Sequence, residues 1–202
     1  MGMNGMYARR KNIRICIVLL FVGMFVTLAQ QHHLQQDYAN EVLRFHVIAN
    51  SDEEADQALK LQVRNCVGAY VSTLLKDARD KDETEAIVSA HLDDITAVAK
   101  KEIAKQGYTY PVCATIEQVD FPEKFYGKYH LPKGTYTSLQ VRIGQAKGAN
   151  WWCVMYPNMC FRDNTYEVVG ADEKEQMYEV FTLYQYKKLM ESPHKEIRFR
   201  YL

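Results

Sequence analysis

The sequence predicts an α+β domain behind an N-terminal export or anchor helix. Three observations carry that reading. Residues 41–50 (EVLRFHVIAN) are rich in strand formers and pass at once into a helical pattern. Two stretches, 53–76 and 84–106, repeat apolar residues at three- and four-residue steps. From Tyr108 to Tyr156 the period changes to two. Strands grouped after helices point to a mostly antiparallel sheet with helices packed on one face, in the order β-α-α-β-β-β-α.

The 202 residues carry 25 basic and 25 acidic side chains, and 48% are apolar. That is enough for one ordinary core plus a targeting segment. Arg9, Arg10, Lys11 and Arg14 hold all the charge before residue 30, which leaves 21 basic against 25 acidic residues in the rest. A mildly acidic domain lacks the basic footprint that nucleic acid requires, so nucleic acid is not an expected partner. Five cysteines are too few for a disulfide-stapled scaffold.

Residues 1–14 form a basic cytoplasmic region, and Ile15–Ala29 is an uncharged apolar run. Together they have the form of a signal peptide or a membrane anchor. The positive charges stay inside, so the chain from about residue 30 faces the outside. Residues 30–40 are polar and read as a linker; adjacent His32 and His33 lack the further ligands a metal site needs. The extracytoplasmic domain is expected over 41–192, followed by a tail, 193–202.

Within the domain, alternation puts Leu43, Phe45 and Val47 on one face of the first strand and Arg44, His46 and Ile48 on the other. Ser51 and Glu54 have capping-box spacing at the start of the first helix. That helix buries Leu59, Val63, Cys66 or Val67, Tyr70 and Leu74. Residues 78–83 read as a charged loop, and the second helix buries Val88, Leu92, Ile95, Ala99 and Ile103 before Gly107 ends it. Strands follow at 109–121, 136–144 and 151–156, with an aromatic connection at 121–133 and a turn at 145–149. The last strand is expected to pair back on its predecessor as a hairpin. A third helix is expected over 172–191, stopped by Pro193.

The chain is organised around Gly148–Phe161, GANWWCVMYPNMCF. Trp151 and Trp152 are the only tryptophans, and strand alternation sends one ring to each face. One anchors the core; the other covers it or meets a partner. Pro157 and Asn158 read as a turn that brings Cys153 and Cys160 within disulfide reach. Two reduced core cysteines and a two-thiolate metal site remain as alternatives. Cys66 and Cys113 read as core positions.

The sequence contains neither a P-loop nor a nucleophile elbow, and it lacks H-E-x-x-H and a CxxC pair. His46, Ser51 and Asp52 supply the residue types of a hydrolytic triad, but spacing alone does not assemble one. No cofactor, metal or catalytic residue is expected.

Two blocks resemble the stage II sporulation protein R family. The first is Arg44-Phe45-His46-Val47-Ile48-Ala49-Asn50-Ser51, continued by Asp56-Gln57, Leu59-Lys60 and Val63-Arg64. The second is Gly144, Lys147-Gly148, Asn150-Trp151-Trp152-Cys153-Val154, Pro157 and Cys160. Ala146 stands where the family has glycine, and Asn65 where it usually has aspartate. The resemblance implies an exported signal and not an enzyme. Such a protein leaves the forespore, enters the space between the two forespore membranes, and acts on a mother-cell membrane aspartic protease that processes the sigma E precursor. Asn150, Trp151, Trp152 and Pro157 are the expected partner-binding residues. The competing readings are a membrane-anchored extracytoplasmic hydrolase using His46 or His91, and a structural envelope protein.

Overall fold

A computed structural model describes residues 3–126, 129–157, 177 and 180–190. Its contacts divide the chain into two units, residues 1–37 and 38–202. In the first, helix α1 (Met3–Glu41) carries the apolar run. Asn12–Glu41 is long and apolar enough to cross a membrane, with a mean hydropathy of 2.2 over its most apolar window. The helix continues through 30–40, the segment expected to be a linker.

The second unit contains β1 (Leu43–Ile48), α2 (Glu54–Leu74), α3 (Lys81–Ala90) and α4 (Leu92–Lys105). These are followed by β2 (Val112–Phe121), β3 (Lys124–Tyr126), β4 (Tyr129–Leu131), β5 (Gly134–Ile143), β6 (Asn150–Tyr156) and α5 (Leu183–Met190). The α+β class is as predicted, with two additions. The second helix is broken at His91 into α3 and α4. The start of α3 falls inside the expected charged loop, where the Asp80 carboxylate accepts from the Glu83 N–H at 2.8 Å. The aromatic connection contains its own short hairpin, β3–β4. Most of the expected third helix and the tail lie outside the described residues.

The main sheet has the order β2-β5-β1-β6. This corrects the expected β5–β6 hairpin. β1 lies between them, parallel to β5 and antiparallel to β6. The physical reason is burial. Leu43 to Val47 are inaccessible or nearly so on both faces, so β1 must be an interior strand. A parallel β1–β5 pair needs a crossover, which the run from α2 through β4 supplies.

The helix-side face of the sheet holds the main core. Leu43, Phe45 and Val47 of β1 meet Leu59, Val63, Val67 and Val71 of α2 and Ile95, Ala99 and Ile103 of α4. Leu139, Val141 and Ile143 of β5 and Cys153 and Met155 of β6 complete it. Gly107 ends α4 at φ +84, the left-handed position that favours glycine. Of the other two cysteines read as core, Cys66 is half-buried and Cys113 is exposed. β2 alternates, and Cys113 falls on its outward phase.

The opposite face is built differently. Arg44 is fully buried there, its guanidinium carbon 4.1 Å from the Phe121 ring centre and 5.0 Å from that of Tyr136. Its Nη2 donates to the Tyr126 hydroxyl at 2.6 Å, so the β3–β4 hairpin reaches the sheet through this bond. Burial lowers the Arg44 pKa from its ordinary value, and buried Tyr136 and half-buried Tyr126, rather than a carboxylate, lie beside the charge. The same burial pushes the Tyr136 hydroxyl up to about 12.

Ala146, in the turn between β5 and β6, has φ +52. A side chain in that region is strained by roughly 1 kcal/mol. Ala146→Gly is therefore expected to raise stability by about that amount, measured as a shift in the urea midpoint at unchanged slope.

Candidate functional site

The sequence block around Asn50 and the block around Gly148 come together in one clasp. β1 ends at Ile48, and the chain turns into α2 directly beneath the β5–β6 turn. The Asp56 carboxylate, on the first turn of α2, accepts from the Asn50 amide at 2.7 Å and the Ser51 hydroxyl at 2.6 Å. Those two bonds hold the Asp56 pKa below the ordinary carboxylate value. The Asn50 side-chain carbonyl accepts from the Gln145 N–H at 2.9 Å, and the Asn50 backbone carbonyl accepts from Lys147 N–H. Gly148 N–H donates to the Ala49 carbonyl at 3.0 Å. On the helix side, Gln57 donates to the Ser51 carbonyl, and buried Lys60 donates to Gln57 and to the Ala149 carbonyl at 3.0 Å.

Close approach explains the glycines. A Cβ on Gly144 would collide with the Asn50 amide, and one on Gly148 with the Ser51 carbonyl. Ser51 does not form the expected capping box. The N-cap of α2 is Glu53, which makes no side-chain cap bond, so the helix begins beyond the reach of S-x-x-E. The Ser51 hydroxyl is instead spent on Asp56 and on accepting from the Glu53 N–H.

The clasp fixes where β6 starts, and β6 carries both tryptophans. Trp151 falls on the helix side, opposite Val47, with its ring edge-on to Phe45 at 5.6 Å between centroids. The Arg64 guanidinium of α2 lies 4.9 Å above the same ring. Trp152 falls on the other side, opposite His46, and the two rings stack at 3.9 Å and 12°. Phe121 closes on Trp152 edge-on at 4.5 Å. Both tryptophans are half-buried. Asn150 is exposed at the start of β6 and Pro157 is buried after its end. Cys153 is buried in the core opposite Phe45; Cys160 and Asn158 lie outside the described residues.

His46 is buried, and burial drops its pKa to about 4, which leaves a neutral imidazole at neutral pH. No hydrogen bond of good geometry reaches either ring nitrogen among the described residues, and the nearby Asn150 side chain offsets the effect of burial only in part. His46, Ser51 and Asp52 therefore form no nucleophile–base pair: Ser51 is bound to Asp56, and the Asp52 carboxylate accepts from the Ala149 N–H. The His91 ring contacts the Ile87 carbonyl of its own helix. Among the described residues no three His, Cys, Asp or Glu side chains are grouped to hold a metal.

Sequence reasoning missed Arg64 as the partner of Trp151 and Asp56 as the centre of the clasp. Both were legible only as isolated matches, because helix periodicity does not say which residue meets a strand far along the chain. It also missed the aromatic cage around Arg44.

Residues 39–166 match the family model for stage II sporulation protein R. The chain is 32% identical over 176 residues to stage II sporulation protein R of Bacillus subtilis (strain 168), covering 82% of this chain and 79% of that protein. No solved structure matches the chain.

Proposed function

The chain belongs to the stage II sporulation protein R family, a sporulation family, and from that premise we propose that it is an exported signal that activates a membrane aspartic protease. In this reading it leaves the forespore through its N-terminal apolar segment and works in the intermembrane space. The protease, in the mother-cell membrane, then processes the sigma E precursor. The domain acts as a binding surface and carries out no chemistry of its own.

One observation supports the placement of that surface. Trp151 and Arg64, the two residue types that dominate interface energetics, are stacked on each other at the β6 end of the sheet. Exposed Leu61 lies one turn from Arg64 on α2. The clasp holds this group at a fixed place, so the partner meets a preorganised patch. Trp152, enclosed by His46 and Phe121, serves as the prop beneath it. Cys153 and Cys160 are proposed to form a bridge that closes the segment after β6; alkylation without reductant should leave both unmodified.

Arg64→Ala and Trp151→Ala test the assignment. Arg64→Ala is expected to leave folding intact, and Trp151→Ala to cost about 2 kcal/mol, below the full cost of a buried Trp. Both are expected to abolish or strongly reduce precursor processing in cells co-expressing protease and precursor, at unchanged export. Full processing by both variants would remove this patch from the interface.

A further inference from the structure

The outward face of α5 is not used by the surface described above. Leu183 and Tyr184 are 63% and 62% exposed, and exposed Lys187 lies one turn further along the same side. Tyr186 and Leu189 face inward, with Tyr186 edge-on to Tyr129 of β4 at 6.1 Å between centroids. α5 is thus amphipathic in an unusual sense: its inner side is satisfied, and its outer side presents an aliphatic and an aromatic residue beside a lysine.

Charge is segregated in the same way along the sequence. Residues 183–202 carry Lys187, Lys188, Lys195, Arg198 and Arg200 against Glu191 and Glu196. Residues 30–182 carry 16 basic against 23 acidic side chains. A basic end with exposed aliphatic and aromatic side chains is complementary to an anionic lipid surface. α5 is held in place from within its own unit. The Tyr38 hydroxyl donates to the Gln185 carbonyl at 2.8 Å, and the Tyr38 ring meets Phe181 edge-on.

We propose that the Leu183–Tyr184–Lys187 face of α5 docks on an anionic lipid bilayer surface. The two apolar side chains enter the headgroup boundary, and the lysine pairs with lipid phosphate. A protein partner on this face is the alternative occupant, and the test separates the two.

The full chain is reconstituted in vesicles of phosphatidylcholine, with or without phosphatidylglycerol. An environment-sensitive fluorophore is placed on Leu183→Cys, with Cys16, Cys66 and Cys113 replaced by serine. Leu61→Cys is the exposed control, and Tyr184→Cys is a second site should the first fold poorly. Quenching by lipids with brominated acyl chains is expected at 183 and 184 in phosphatidylglycerol vesicles and not at 61. Lys187→Gln is expected to reduce it by about fivefold, the share of one surface lysine. Quenching at 183 and 184 no greater than at 61, or equal in both lipids, would overturn the proposal; a face that serves only a protein partner gives the first of these results.

Discussion

Asp56→Ala is expected to destabilise the domain by about 3–4 kcal/mol, the sum of two hydrogen bonds to a buried charge. That is a large part of the total stability of a domain of this size. The effect arises because Asp56 is the shared acceptor for Asn50 and Ser51, and Asn50 in turn holds the Gln145 N–H. Loss of the carboxylate leaves two half-buried donors unpaired and frees the turn that starts β6. The signalling surface should therefore be lost together with stability. The pH dependence identifies the cause. Asp56 has a folded pKa below its unfolded value. Its contribution is fully present above the unfolded pKa, near 3.9, and is lost as pH falls through the lower folded value. Urea unfolding followed by circular dichroism should show that acid limb in the parent and a shallower one in Asp56→Asn.

The second large effect belongs to His46 and falls in a different window. Its folded pKa of about 4 lies below the ordinary 6.5. Between these values the unfolded chain takes up a proton that the folded domain refuses, so stability falls as pH falls. The loss begins near pH 6.5, is complete near pH 4, and amounts to on the order of 3 kcal/mol. His46→Phe keeps a ring against Trp152 and removes the titration. Its stability is expected to be flat across that window, apart from carboxylate effects at the acid end. An unchanged slope in the variant would show that another group carries the dependence.

Strand and helix identities in this chain were legible because each rests on local periodicity. Phe45 and Val47 alternate with Arg44 and His46, and the structure keeps them on opposite faces. Gly107 ended its helix as expected because the left-handed position is a local requirement. What was not legible depends on distant partners. The short 144–149 connection looked like a hairpin turn, and nothing in it says that β1 lies between the two strands it joins. The break at His91 has neither glycine nor proline to mark it. Arg44 was visible as a motif residue, yet its aromatic cage is drawn from β2, β3 and β5. For the site, the two sequence blocks were recognisable separately. That most of their polar members bind each other is a property of the fold, and it leaves Trp151 with Arg64 outside the clasp, where the proposed patch lies.

Under the proposed function, this chain, once exported, switches on processing of the sigma E precursor. The most direct measurement is co-expression with the membrane protease and the precursor in a non-sporulating bacterium, with precursor size followed by immunoblot. Processing is expected only when the chain is present and its apolar segment is intact. A variant with charged residues in Ile15–Ala29, retained in the cytoplasm, is expected to give none. Equal processing with and without the exported chain, or none when it is exported and folded, would contradict the account.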